Sequence, residues 1–279
     1  AENKERFLKE RMLFDITLFS DDSKIQRKPK GHLYLYPLIA IAAMLAIVFV
    51  MDLPHMHKPK QQLSQTIRIP AGQRAQMDLP DGSVVWLNSQ TTLTYDEDFG
   101  KKDRKVTLDG EAYFEVAHNK EIPFYVQTEN IKVQVTGTKF DVCSYKGSNS
   151  FIARLIEGSI NLLTNSAKEE KTITSLTKGK YFSMENGKYR TGEMSSNNAL
   201  AWMQGIYYFD DVPFKELLDK IALYYNYKIT VKNPKILENY RCTGKFKDLD
   251  GIEHILKVIQ KDHPFKYDID NEHNKITIE

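Results

Sequence analysis

The sequence FYVQTENIKVQVTGTKFDVCSY, residues 124–145, carries the pattern that decides the fold of most of this chain. It is rich in Val, Tyr, Phe and Thr, the residue types that fit a pleated, half-buried surface. A helical period is almost absent from it. One glycine, Gly137, interrupts an otherwise continuous run. The stretch therefore predicts β-strands, and the segments on both sides extend the same pattern.

Glycine-containing reversals recur about every 8 to 15 residues around this stretch. They stand at Asp81-Gly82, Asp109-Gly110, Glu157-Gly158 and Asn186-Gly187. Between the reversals, runs such as SVVWLN (83–88) place alternate residues on opposite faces. We therefore expect an all-β domain over residues 66–191, either a sandwich or a short β-solenoid.

Helical periods return after a connector at residues 192–203. VPFKELLDKIALYYN (212–226) has apolar residues at steps of three and four, with Asp211 as its opening residue and Pro213 near its start. LDGIEHILKVIQKDH (249–263) shows the same period between two further strand-like runs. The order βαβ and then βαββ predicts a small α+β domain over residues 204–279.

Residues 33–51, LYLYPLIAIAAMLAIVFVM, form a run of nineteen without a charged side chain. A helix of that length covers about 28 Å, which is close to the hydrocarbon thickness of a bilayer. The basic residues on its N-terminal flank are Lys24, Arg27, Lys28 and Lys30. Because basic flanks resist translocation, we expect one transmembrane helix, a cytoplasmic arm at 1–32 and an exported remainder that begins with a linker at 52–65. An ordinary apolar core helix is the alternative.

Charge and motif content narrow the function classes. The first 32 residues hold eight Lys/Arg and six Asp/Glu, so the remainder holds 31 of each out of 39 and 37. A neutral exported part has no electrostatic attraction to nucleic acid, so we expect no direct nucleic-acid partner. The sequence shows no metal-ligand spacing, phosphate loop or dinucleotide fingerprint, and we expect no cofactor. Cys143 and Cys242 could pair, but two separate buried thiols are the favoured interpretation.

Two features invite a catalytic interpretation. Glu111 and Glu115 lie four residues apart on a predicted strand and so share a face, and they are expected to flank a solvated edge. Gly137-Thr138 interrupts a strand, which usually indicates a bulge or a close backbone approach. A threonine hydroxyl can also attack the preceding carbonyl when the peptide is held strained, so self-cleavage at this bond is the second interpretation. Apart from that, we expect no enzyme.

Several motifs together resemble the FecR-type anti-sigma factor family. They are LPDGSVVWLN (79–88), RKVTLDGEAYFEVAHNKEIPFYVQT (104–128), VTGTKFDV (135–142) and EGSINLL (157–163). The part from residue 202 onward is similar to the C-terminal domain that accompanies these proteins. Some members cut themselves at the Gly-Thr bond that Gly137-Thr138 matches. The family's sigma-binding segment is usually longer than the 32 residues before the apolar run, so we expect a longer N-terminus.

The resemblance implies an α+β protein anchored in the cell inner membrane, with its N-terminus in the cytoplasm and its C-terminal part in the periplasm. It implies three partners: an extracytoplasmic-function sigma factor, the N-terminal signalling domain of a TonB-dependent transporter, and membrane lipid. In the arm, the expected sigma-factor contacts are Phe7, Leu8, Met12, Phe14 and Ile16. For the transporter, the expected docking surface is the strand Ile206, Tyr207, Tyr208 and Phe209 with the helix at 214–225. The alternative is a membrane-tethered periplasmic module that binds glycan or protein.

Overall fold

The computed structural model describes residues 40–47, 49, 63–165, 170–194 and 197–279. The chain divides between residues 61 and 62 into two units. In the first unit, residues 40–47 and 49 are helical, and their side chains are exposed. None of the helices in these described ranges is long and apolar enough to cross a membrane. The rest of the predicted span, the arm with its five expected contacts, and nearly all of the linker lie outside the described residues.

In the described residues of the second unit, thirteen strands make up the first part. They are β1 (Ser64–Arg68), β2 (Ala75–Asp78), β3 (Val84–Leu87), β4 (Thr92–Asp96), β5 (Arg104–Glu115), β6 (Phe124–Gln127), β7 (Ile131–Val135), β8 (Lys139–Ser144), β9 (Ser150–Glu157), β10 (Ser159–Thr164), β11 (Thr172–Thr177), β12 (Lys180–Glu185) and β13 (Lys188–Glu193). All belong to one sheet, with the order β11-β10-β7-β6-β5-β8-β9-β12-β13 and with β3 and β4 also on β5. The expectation of a mostly β chain with some helices is confirmed.

Strand β5 joins two half-sheets, and its pairing partners change at Gly110. Its first half, up to Asp109, pairs with β4 and β6, and its second half pairs with β3 and β8. Gly110 has φ +135°, and a Cβ there would lie 2.4 Å from Thr91 Oγ1. The predicted turn at Asp109-Gly110 is therefore wrong: the glycine permits a close approach inside one continuous strand.

The two half-sheets share one hydrophobic core. Alternate residues of the strands point into it, as in β7, where Ile131, Val133 and Val135 are buried and the two residues between them are half-buried. Phe114 stacks on Phe140 with their ring centroids 5.1 Å apart. Cores of this kind supply most of the stabilisation of a β-domain, at about 1.5–3 kcal/mol for each large apolar side chain buried.

Two helices and five strands form the C-terminal part, which follows a 3-10 segment at Asn197–Gln204. They are β14 (Ile206–Pro213), α1 (Phe214–Tyr225), β15 (Lys228–Val231), β16 (Arg241–Lys247), α2 (Gly251–Asp262), β17 (Tyr267–Asp270) and β18 (Lys275–Ile278). Strand β14 pairs with β16, and β15, β18 and β17 form a three-stranded sheet. Helix α1 begins at Phe214 after Pro213, whereas Asp211 lies within β14, so Asp211 does not open the helix as expected.

A second apolar cluster joins the C-terminal part to the β-domain. Tyr113 of β5 and Trp202 of the 3-10 segment are buried in it together with the apolar faces of α1 and α2. Trp86 of β3 packs on the same cluster, 5.5 Å from Tyr113 between ring centroids. The face of the second half-sheet that points away from the first core is therefore an internal surface.

Candidate functional site

Three charged side chains lie side by side on this internal surface. Glu111, Asp141 and Arg154 come from β5, β8 and β9, and the antiparallel register places Asp141 directly opposite Arg154. Arg154 Nη1 donates to Asp141 Oδ2 at 2.5 Å and lies 3.8 Å from Glu111 Oε1. Asp141 is fully buried and Glu111 is 4% exposed. We call these three residues the charged cluster.

Burial and the neighbouring charges determine the ionisation of the cluster. The pKa of Asp141 is raised to about 7, chiefly by burial; the Arg154 charge opposes this rise, and the Glu111 carboxylate adds to it. Burial alone would lower the pKa of Arg154, but the Asp141 and Glu111 charges raise it, so Arg154 stays protonated. Burial also raises the pKa of the nearby Cys143 thiol, which makes it a poor nucleophile. Cys143 and Cys242 are both free.

Polar contacts connect the cluster to helix α1. The Asn88 side chain donates to Glu111 Oε2 at 2.6 Å, and the Tyr224 hydroxyl donates to the same oxygen at 3.4 Å. Glu111 is thus buried and paired, and the expectation that it flanks a solvated edge is wrong. Glu115 is half-buried, and its Oε2 lies 3.5 Å from Lys139 Nζ.

The C-terminal end of α1 is held by donors from the β-domain. Gly72 N and Ser89 Oγ both donate to the Tyr224 carbonyl, at 3.0 and 2.8 Å, and Gln90 Nε2 donates to the Leu223 carbonyl. The last carbonyls of a helix have no intrahelical donor, so these contacts replace water as their partners. A displacement of α1 therefore pulls directly on the segment between β3 and β4.

A further ion pair links the two parts of the unit. Arg74 Nη2 lies 2.6 Å from Asp248 Oδ2, and the Asp248 side chain is only 8% exposed. Tyr225 Oη donates to the Asp248 carbonyl at 3.0 Å.

Next to the charged cluster there is a cleft of about 460 Å³ between the second half-sheet and β14. Glu111, Arg154, Trp202 and Tyr181 are among the residues that line it. Trp202 is 4% exposed; its Nε1 and Asp141 Oδ1 are both buried, and a side-chain hydrogen bond from Trp202 lowers the pKa of Asp141. The volume is within the range of about 300–1,000 Å³ typical of ligand sites. The described residues contain no group of three or more His, Cys, Asp or Glu that could hold a metal ion.

The expected docking strand lies on the wall of this cleft. Tyr207 and Phe209 are buried, and the Tyr207 ring stacks on Tyr224 at 4.3 Å. Ile206 is half-buried, and Tyr208 is 37% exposed. The strand thus divides into a buried face and an accessible one. On α1, the buried residues are Phe214, Leu217, Leu218, Ile221 and Tyr224.

Gly137-Thr138 lies between β7 and β8, away from the cleft lining. Thr138 is 4% exposed, and its hydroxyl donates to the Ser159 carbonyl at 3.0 Å. A Cβ at Gly137 would lie 2.4 Å from His118 Nδ1, so the glycine permits a close approach of two segments. The sequence missed Asp141, Arg154 and Trp202 as site residues. The available signal for the first two was a charged residue between apolar neighbours in the middle of a strand, Asp141 in KFDVCS and Arg154 in SFIARLIE.

Two stretches of the sequence match family models, in the order in which the two parts of the unit occur. Residues 65–161 match the model described as FecR protein, and residues 206–278 match the model described as FecR, C-terminal. The chain belongs to the FecR-type anti-sigma factor family. The resemblance indicated by the motifs is confirmed, and membership implies a sigma factor as partner. No curated protein matches the sequence.

Solved structures show the same fold. Two crystal structures described as a candidate anti-sigma factor from Parabacteroides distasonis, at 2.50 and 1.65 Å resolution, superpose with a TM-score of 0.66 each. They are 25% and 24% identical to this FecR-type chain, and each alignment covers 77% of this chain and 98% of theirs. The chain is thus an anti-sigma factor, a signal transducer whose β-domain and C-terminal part are joined around the charged cluster.

Proposed function

We propose that this FecR-type chain is a single-pass inner-membrane anti-sigma factor that relays a signal from the N-terminal signalling domain of a TonB-dependent transporter to an extracytoplasmic-function sigma factor. The observation that carries the proposal is the attachment of α1 to the β-domain. Since Tyr224 and Leu223 accept from three donors of that domain, a displacement of α1 is coupled to the β-domain through direct hydrogen bonds. Packed and hydrogen-bonded contacts of this kind can carry coupling between two sites.

The apolar run supports the membrane location. Where the structure describes it, the run is helical and fully apolar, and Ile41, Met44 and Phe49 are 57%, 68% and 67% exposed. Large exposed apolar surfaces are covered in cells by protein or by lipid. A reporter that works only outside the cytoplasm should be active when it is fused to the C-terminus. If instead a reporter that works only in the cytoplasm is active at the same position, the relay is refuted.

Sigma-factor capture is tested by co-purification of the full chain from cells that express the sigma factor. Serine at Phe7, Met12 and Ile16 should abolish capture, because apolar anchors carry most of such helix-in-groove contacts. Glu5→Gln, at a polar position of the same arm, is the matched control and should leave capture intact. If the full chain retains no sigma factor, the proposal is wrong.

For the transporter, Lys215→Glu on the exposed side of α1 should weaken binding of its isolated signalling domain.

The proposal assigns no enzyme activity to the chain, and the Gly137-Thr138 bond tests this. The Thr138 hydroxyl is buried and already donates to Ser159, so we expect purified protein to stay intact during prolonged incubation. A fragment that ends at residue 137, and that Thr138→Ala abolishes, would instead establish self-cleavage.

A further inference from the structure

One wall of the cleft is the backbone edge of β14. Every residue from Ile206 to Asp210 lines the cleft. Successive side chains of a strand point to opposite faces, so five consecutive residues can line one space only if the edge of the strand faces it. Among the described strands, β16 is the only one that pairs with β14. The other edge of β14 is therefore open toward the cleft.

The register identifies the backbone groups on this open edge. Asp248 N donates to the Gly205 carbonyl at 2.9 Å, and Ile206 is the register partner of Lys247. Hydrogen-bonded pairs alternate along an antiparallel ladder, so Tyr207 and Phe209 direct their backbone groups to β16. Ile206 and Tyr208 consequently direct theirs to the cleft. Unpaired backbone groups of an edge strand are a template for another strand.

Side chains around the edge favour a cationic occupant. The two cations in the lining are already paired: Arg154 with Asp141, and Lys220 with Glu216 at 2.9 Å. The exposed carboxylates of Glu193 and Asp210 form no ion pair with any other described residue.

One further group suits a peptide with a basic side chain. Tyr208 is 37% exposed, and its ring can receive a cation on its face.

We propose that the cleft accepts an extended peptide segment with a Lys or Arg side chain, which adds as a strand to the open edge of β14. The five residues Ile206–Asp210 span about 16 Å, enough to pair with four or five residues of the segment. The basic side chain lies between Glu193 and Asp210. This site goes beyond the proposed relay, since binding of the peptide requires neither a sigma factor nor a transporter.

Selection of random heptapeptides displayed on phage against the purified full chain tests the site, with affinities of the selected peptides measured by fluorescence polarisation. We expect selected sequences with alternating apolar residues and at least one Lys or Arg. N-methylation of a peptide backbone amide that pairs with β14 should weaken binding at least tenfold. The same change at a peptide amide that points away from β14 should not. This arm uses the unaltered protein, so it holds even if a variant misfolds.

Substitutions inside and outside the cleft locate the peptide. Tyr208→Pro removes an N–H on the open edge and leaves the β14–β16 ladder intact, so it should weaken binding at least tenfold, against a few-fold for Tyr208→Ala. Asp210→Asn with Glu193→Gln should weaken binding several-fold and reduce its salt dependence. Leu249→Ser, at an exposed site outside the cleft, is the control and should change nothing. Failure to select any peptide, or peptides that are insensitive to N-methylation and to Tyr208→Pro, would overturn the proposal.

Discussion

Replacement of Asp141 by Asn should change how stability depends on pH. The folded state holds this carboxyl with its pKa raised from 3.8 to about 7, chiefly by burial. A carboxyl whose pKa is raised on folding binds its proton more tightly in the folded state than in the unfolded state. Between pH 4 and 7 the folded state therefore holds more protons, and stability falls as the pH rises.

The magnitude follows from the two pKa values. With unfolded and folded values of about 4 and about 7, ionisation of Asp141 lowers the free energy of unfolding by about 1 kcal/mol at pH 5 and about 4 kcal/mol at pH 8. The loss between the two pH values is thus about 3 kcal/mol. Asn cannot ionise, so the variant lacks this loss. The free energy of unfolding of the variant, relative to that of the native protein, should therefore rise by that amount from pH 5 to pH 8.

Urea unfolding at pH 5, 6, 7 and 8 measures this difference, provided that the slope with urea is the same for both proteins. Asp268→Asn, which removes an exposed carboxylate on β17, is the matched control and should follow the native protein at every pH. If Asp141→Asn also runs parallel to the native protein, then the buried carboxyl does not carry the pH dependence, and our description of the charged cluster is wrong.

Three further predictions concern the contacts that shape the unit. Arg74→Ala leaves Asp248 largely buried and without its ion-pair partner, so we expect a loss of about 1–3 kcal/mol by thermal unfolding, part of which Asp248→Asn should restore in the double mutant. Gly110→Ala should destabilise more than Gly147→Ala, because both positions have positive φ but only at Gly110 is the space for a Cβ occupied; equal losses in urea unfolding would contradict this. Phe114→Ala should cost about 3–5 kcal/mol through the cavity it leaves, and a loss below about 1 kcal/mol would mean that the core has collapsed around it.

Local patterns predicted the strand-rich region well because alternation and turn residues act over a few positions. The Asp81-Gly82 and Asn186-Gly187 turns do connect antiparallel neighbours, β2 with β3 and β12 with β13. Asp109-Gly110 has the same composition but lies inside a strand. The difference is the approach of Thr91 to Gly110, which comes from another strand connection and which no local pattern contains.

The sequence by itself determined the β-rich pattern, the two amphipathic helices, the apolar run and the family. The tertiary structure alone decided the charged cluster, the attachment of α1 and the open edge of β14. Glu111, Asp141 and Arg154 are far apart in the chain and meet because the register of three strands aligns them. The pKa of Asp141 depends on desolvation, a property of everything packed around the carboxyl. Such properties arise from long-range packing, so they become visible only when the chain is folded.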